Sequence, residues 1–395
     1  MLLPREAVRR VLEAKIRAEI AAARRLNGRG SATLPPGPWP DEVSLSEESR
    51  PGTGSDSLER LWVAAAVNEM FHLDDHGEQE RLPGLRRFGE WVDAVAGCTE
   101  RGFAAVTFTT SGSTGEPKRC THRTADLAEE VDHLASLFAD RARLVAAVPP
   151  HHIYGFLFTV LLPDRLGRPV VAVAEAGSLR AGDLLVSFPD HWAFVERSTS
   201  AFADDVSGVT STAPCPPALI AALMDKGLGG FTEVYGSSET AGIGTRRWPA
   251  GDYTLMPHWT KAAEESDATL LERRDGRRAE LMDRLAWTDA RSFRVEGRRD
   301  SAVQVAGINV FPARVAAVLK EHPDVADAAV RGTALAEGGR LKAFIVPRDP
   351  EADVGALDES LRAWAAERLA SPERPQAYRF GPALPRGDLG KLKDW

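Results

Sequence analysis

Ten residues limit this chain more than any others: Thr109-Thr110-Ser111-Gly112-Ser113-Thr114-Gly115-Glu116-Pro117-Lys118, directly after the apolar run 103–108. Glycines let backbone N–H groups approach an anion closely, hydroxyls donate further hydrogen bonds, and a lysine supplies charge. A strand running into such a loop predicts a phosphate cradle in an α/β fold. It is not a Walker-type loop, because Lys118 follows a proline and no Ser or Thr comes next. A generic Ser/Gly run is more often a plain hairpin loop. The order of residues in this one favours the anion site.

The rest of the chain fits around that loop. With 395 residues there is room for two or three domains. Val8, Leu12, Ile16 and Ile20 recur every fourth residue and predict a helix over 5–25. Further helices are predicted over 57–71, carrying Leu58, Leu61, Trp62, Ala65 and Phe71, and over 85–95, ending before Gly97-Cys98. These define an expected all-helical unit, 1–97. From 103 onward, short apolar runs (103–108, 144–148, 169–174, 231–235) alternate with helical stretches (125–138, 217–225), the signature of an α/β sheet. We expect this large domain over 98–299. A small α+β domain follows over 300–395, with strands at 302–305, 325–332 and 341–346 and helices at 312–321 and 357–369.

Composition excludes several classes. A formal charge of −8 lacks the basic surplus of a nucleic-acid binder. No apolar run approaches the ~20 residues of a membrane helix, and the basic N-terminus has no apolar core behind it to make a signal peptide. Cys98, Cys120 and Cys215 form neither a metal pattern nor a disulfide framework, so a cytoplasmic location is expected.

The Thr109–Lys118 string resembles the phosphate-binding loop of the adenylate-forming superfamily, which contains acyl-CoA synthetases, aryl-CoA ligases and peptide-synthetase adenylation domains. The resemblance covers about 103–395. It implies that Thr110, Ser111, Gly112, Ser113, Thr114, Gly115 and Lys118 bind ATP. Tyr235-Gly236-Ser237-Ser238-Glu239-Thr240 resembles the family's Tyr-Gly-x-Thr-Glu, with Ser238 for threonine. There the tyrosine flanks adenine and the glutamate holds Mg²⁺ between phosphates, where charge builds during reaction. Ser211-Thr212-Ala213-Pro214 resembles a Ser-Gly-Ala-Pro beside adenine, with Thr212 replacing glycine, so Ala213 and Pro214 join the ATP set.

Asp289, in Trp287-Thr288-Asp289, resembles a Thr-Gly-Asp aspartate that binds ribose, with its glycine missing. Gly297-Arg298-Arg299-Asp300 resembles Gly-Arg-x-Asp, implying that Arg298 touches ribose and Asp300 is the hinge between domains. The stretch 305–312 is similar to the phenylacetate-CoA ligase branch, and the short chain as a whole to phenylacetate- or 4-coumarate-CoA ligase-like proteins. The end, Pro385-Arg386-Gly387-Asp388-Leu389-Gly390-Lys391, resembles the terminal Pro-x-x-x-x-Gly-Lys whose lysine bridges carboxylate and α-phosphate. His151-His152-Ile153-Tyr154-Gly155 resembles a His-x-x-Gly segment lining the acid pocket and acceptor channel. By this resemblance Lys391, Glu239 and His152 are the catalytic set, and His152, Tyr154, Gly236, Ser237 and Gly242 line the acid pocket.

Two features depart from the family. The phosphate loop comes early, and Gly54-Ser55-Asp56-Ser57-Leu58 before a helix resembles the phosphopantetheine site of acyl carrier proteins. A plain helix N-cap competes with a modified Ser57. Gln304 stands where many relatives carry a lysine. The expectation is an ATP- and Mg²⁺-dependent, AMP-forming enzyme that activates a small, aromatic carboxylic acid and transfers it to CoA or a carrier protein. Nitrite activation for transfer to an arylamine is the enzymatic alternative. A non-catalytic nucleotide-binding or carrier-docking module is the other.

Overall fold

Val8, Leu12, Ile16 and Ile20 form one buried face of α1 (Arg5–Leu26), each at most 2% exposed. The chain is seen here as a computed structural model that describes residues 2–27, 34–46, 52–111, 117–262, 269–298, 302–305, 308–333, 339–385 and 395. Helix α2 (Ser57–Phe71) begins with a capping box. The Asp56 carboxylate accepts from the Glu59 amide at 2.8 Å, and the Glu59 carboxylate accepts from the Asp56 amide at 3.3 Å. Glu59 also pairs with Arg24 of α1, through Nε–Oε1 at 3.0 Å and a second N–H to Oε2 at 3.1 Å, and both side chains are buried.

Two expectations about these helices are corrected. The face of α2 that packs inward is Val63, Ala64, Val67, Met70 and Phe71, whereas Leu58, Leu61 and Trp62 are 75%, 52% and 49% exposed. Helix α3 spans Phe88–Arg101 and runs through Gly97, because Cys98 and Thr99 extend its buried face; it stops at Gly102, whose φ of 130° ends the helical turn.

Strands β1 (Ala105–Ser111) and β2 (Pro117–Arg123) form a two-stranded sheet flanking the phosphate-loop string. Helix α4 (Thr124–Leu137) follows. The main parallel sheet is built from β3 (Arg143–Ala146), β4 (Val170–Ala172), β5 (Asp183–Ser187), β6 (Ser207–Thr210) and β7 (Gly230–Ser237) in the order β4-β3-β5-β6-β7. Strands β8 (Ala241–Arg247) and β9 (Tyr253–Leu255) continue it antiparallel. The crossovers carry α5 (Ile153–Phe156), a π turn (Leu157–Leu161) leading into α6 (Leu162–Leu166), then α7 (Pro189–Ser198) and α8 (Pro217–Asp225). Sequence patterning does not reveal β5, β6 or α7. All five residues of β5 are buried, so no alternation marks it.

Contacts divide the chain into two compact units. One is built from residues up to Thr110, Pro117–Ser211 and Leu219–Trp259; the other contains Thr212–Ala218 and Thr260–Trp395. The helical segment 1–97 is therefore not set apart from the sheet. Phe71 packs on Phe103, His72 bonds Thr107 at 2.9 Å, and Arg10 of α1 donates to the Thr159 carbonyl at 3.2 Å. By contacts, the last segment of the first unit ends at Trp259 and the second resumes at Thr260.

The second unit contains β10 (Trp259–Lys261), β11 (Thr269–Arg273) and β12 (Arg278–Leu281) in one small sheet, and the hairpin of β13 (Asp283–Trp287) with β14 (Ser292–Arg298). Beyond them come β15 (Val303–Val305), β16 (Ile308–Val310), α9 (Pro312–Lys320), β17 (Val325–Gly332), β18 (Leu341–Pro347), α10 (Val354–Arg368) and β19 (Ala377–Phe380). Val315, Leu319, Leu341, Ile345 and Leu361 form the centre of this core, each at most 1% exposed.

The Arg24–Glu59 pair yields a stability prediction. Glu59→Ala leaves a buried guanidinium without its carboxylate and also opens the capping box. Urea unfolding should show a loss of about 3–5 kcal/mol; a loss below about 1 kcal/mol would mean that the pair is held no more firmly than a surface one.

Candidate functional site

The parallel strands end at a common edge, where loops of open α/β sheets gather ligands. Pro149–Gly155 follows β3, Ser211 follows β6, and Tyr235-Gly236-Ser237-Ser238-Glu239 lies at the end of β7. A register shift between Tyr235 and Gly236 tightens the β7–β8 hairpin. Gly236 has no room for a side chain, because a Cβ would run into the Ala241 carbonyl oxygen. Tyr235 packs against Tyr253 at 5.8 Å between ring centroids, with the Arg246 guanidinium 4.5 Å over Tyr253.

Glu239 stands at the hairpin tip with the Lys118 Nζ 2.7 Å from its Oε1, and the two side chains are 43% and 54% exposed. Partial burial pushes the Glu239 carboxyl up, but bonds from Lys118, its own amide and the Ser237 hydroxyl outweigh that and hold it below the usual range. From the same strand as Lys118, His122 pairs its Nε2 with the Ser238 carbonyl at 2.7 Å. Ser237 and Thr240 bond through their hydroxyls at 3.0 Å. Strand β2 thus brings Lys118 and His122 to the tip of the β7–β8 hairpin.

After β3 the chain doubles back tightly. Gly155 must lack a side chain, since a Cβ there would meet the Pro149 carbonyl. That is the physical content of the His-x-x-Gly spacing. The His151 and His152 rings lie 4.3 Å apart. Burial first, then the charges of His152 and Lys15, pushes His151 down to about 3; burial and Lys15 lower His152 as well. Lys15 comes from α1, buried and paired with Glu19 at 2.7 Å. The buried Nδ1 of His151 has no hydrogen-bond partner among the described residues. Tyr154, expected in the acid pocket, instead points its hydroxyl into the sheet, donating to the Ser187 and Val209 carbonyls at 3.0 and 3.2 Å. Gly242, also expected there, lies against the Glu130 carboxylate and the Met256 methyl.

In the second unit, Thr212, just ahead of Ala213 and Pro214, has φ 78°, a left-handed backbone that glycine adopts more easily. The glycine of the resembled motif suits this backbone, and here a threonine bears the strain. Asp289 accepts from the Arg291 and Ser292 amides, both at 2.7 Å, and these bonds lower its pKa. It therefore shapes the β13–β14 turn. Arg298 ends β14. The residues Gly112, Ser113, Thr114, Gly115, Asp300 and Lys391, and the side chains of Thr110, Ser111 and Arg298, lie outside the described residues. Ser57 is exposed at the first turn of α2, but Leu58, expected to be buried behind it, is 75% exposed.

Sequence reasoning missed Glu130 and His122. The available signal for Glu130 was a carboxylate within the apolar stripe Leu127, Val131 and Leu134 of α4. Among the described residues no cluster of three metal-ligating side chains exists, and no helix is long and apolar enough to cross a membrane.

Comparison with known proteins follows the same geometry. The family model described as AMP-binding enzyme matches residues 67–281, and that of the AMP-binding enzyme C-terminal domain matches 314–391. A 4-coumarate–CoA ligase of Halorhodospira halophila is 37% identical over 98% of both chains. One from Rhodobacter capsulatus is 39% identical over 98% of this chain and 100% of its own. An amide bond synthetase from Marinactinospora thermotolerans shares the fold with a TM-score of 0.59 at 18% identity, covering 96% of this chain and 92% of that one.

The His151 environment makes a pH prediction. Its folded pKa, about 3, lies below its unfolded value near 6.5, so the unfolded chain binds more protons between those values. The stability of the buried neutral ring is fully present above about pH 6.5 and is lost as pH falls toward 3, by at most about 1.4 kcal/mol per pH unit. His151→Gln should flatten the acid side of the Tm–pH curve below pH 6.5; an unchanged slope would place the ring in water.

Proposed function

The chain belongs to the AMP-binding enzyme family, and from that premise we propose how this member works. It is an ATP-dependent, AMP-forming acid ligase. A carboxylate attacks the α-phosphorus of ATP, the bond to the β-phosphate oxygen breaks, and acyl-adenylate and pyrophosphate result. The thiol of CoA then attacks the acyl carbon and AMP leaves. The acid in our reading is a small aromatic one of the 4-coumarate class. The single observation that carries this is near-complete coverage of two 4-coumarate–CoA ligases at 37% and 39% identity.

Glu239 fits a magnesium ion. It is a half-exposed carboxylate at a hairpin tip, kept anionic, with an ammonium already 2.7 Å away. A single protein carboxylate suits Mg²⁺, which takes most of its ligands from phosphates and water. When bound, the ion neutralises charge building on the phosphates. Lys118 then turns to the phosphates, Tyr235 packs beside the adenine, and Asp289 and Arg298 hold the ribose. His151 and His152, kept neutral, flank an anionic acid without protonating it. Lys391 bridges carboxylate and α-phosphate, and Asp300 is the hinge that brings it there.

A pyrophosphate-release screen over 4-coumarate, other aromatic acids and alkyl acids, each with and without CoA, tests the reading. Release that depends on an aromatic acid supports it; release with alkyl acids alone overturns the substrate class. Lys391→Ala should lower kcat for pyrophosphate release by at least ~100-fold while ATP affinity changes little, because the lysine acts at the transition state. Turnover at the wild-type rate would remove Lys391 from the mechanism.

A further inference from the structure

Helix α4 places a carboxylate where an apolar side chain belongs. Glu130 sits in the inward stripe with Leu127, Val131 and Leu134, and is 1% exposed. Burying a carboxylate is costly unless its oxygens are hydrogen-bonded. Both oxygens accept from the same donor, the Gly242 amide, at 3.1 and 3.0 Å. The Gly242 carbonyl is gripped in turn, accepting from the Trp259 indole at 2.9 Å and facing His258 Nε2 at 3.3 Å. No side chain fits at 242, because a Cβ would strike the Glu130 carboxylate. One peptide unit is therefore clasped from both sides.

That peptide lies three residues after Glu239. Between them Ala241 has φ 60°, a left-handed backbone that a residue with a Cβ adopts at a cost of about 1–3 kcal/mol. Such strain persists only where the surroundings over-determine the conformation. On the near side of the tip, Ser237–Thr240 hydroxyl bonding and the His122–Ser238 contact hold the chain. On the far side Ala241 pairs with Ser237 in the β7–β8 ladder, and the side-chain hold is the Gly242 clasp. Without it Ala241 can relax, and the hairpin tip moves with it.

We propose that Glu130 is a positioning residue: its carboxylate clamps the Gly242 amide, holds Ala241 in its strained turn and so fixes the Glu239 carboxylate where it meets the metal–nucleotide complex. This rests on the reading of Glu239 as the magnesium carboxylate.

Three variants separate the possibilities. Glu130→Gln keeps the length and one acceptor oxygen; Glu130→Met keeps the volume without an acceptor; Glu130→Asp retracts the carboxylate. Calorimetry measures binding of a non-hydrolysable ATP analogue in chelator and in Mg²⁺, and the Mg²⁺ half-saturation of pyrophosphate release is read alongside. In Glu130→Met, or in Glu130→Asp should the former not fold, the metal-dependent gain in affinity should fall about tenfold. Metal-free affinity and the KM for the acid should stay within about twofold, and Glu130→Gln should restore most of the gain. A folded Met or Asp variant with a lower Tm but an intact metal-dependent gain would reduce Glu130 to a packing role and overturn the proposal. Glu239→Gln is the control. Loss of the gain there but not in the Glu130 variants defeats the positioning role alone, whereas an undiminished gain in Glu239→Gln defeats the metal reading and the proposal together.

Discussion

The parallel ladder β4-β3-β5-β6-β7 constrains everything that happens in the first unit. Parallel strands require crossovers, and crossovers return the chain so that all five strands end at one edge. Leu144, Val145, Leu184, Leu185, Val186 and Val209 are at most 1% exposed, so the ladder is buried and its register is firmly specified. The segments that carry chemistry are the continuations of those strands. The hairpin β7–β8 then reverses direction within a few residues, which is possible because Gly236 lets the Ala241 carbonyl approach.

Electrostatics divides this edge into two kinds of group. The His151–His152 pair loses its protons to burial and to Lys15, a cation delivered from α1 nearly 140 residues upstream. Glu239 keeps its charge because Lys118 faces it at 2.7 Å in partial contact with water. Neutral rings suit an acid that must remain anionic to react, while a carboxylate and an ammonium suit a metal and phosphates. The N-terminal helices take part in this division, and Phe71, His72 and Arg10 pack them against Phe103, Thr107 and the Thr159 carbonyl.

Much of this was legible from residue order, and the failures have physical causes. Helix α2 falls at Ser57–Phe71 because Asp56 and Glu59 write a capping box into the sequence. Its orientation was misread, since Leu58, Leu61 and Trp62 are as apolar as the residues that pack inward. Helix α3 ran past Gly97 because burial of Cys98 outweighed the cost of a mid-helix glycine. Strand β5 was invisible because a fully buried strand shows no period of two. At the site, the family resemblance singled out Lys118 and Glu239, and the fold brings these two side chains together. Tyr154 could not be placed correctly, because whether a hydroxyl faces a pocket or a strand's carbonyl depends on tertiary packing. Glu130 carries no motif; only its place on the helix wheel hinted at it.

The Lys118–Glu239 contact has a thermodynamic consequence. In the reading proposed above, a cation arriving at Glu239 competes with the ammonium, and a phosphate arriving at Lys118 competes with the carboxylate. Whichever ligand arrives first breaks the Lys118–Glu239 contact, so the second does not have to break it again. The two associations are then heterotropically linked, each strengthening the other by the same factor, as reciprocity demands. A free divalent ion or a metal-free nucleotide meets a site that is partly self-neutralised, whereas their preformed complex breaks the pair once and engages both halves.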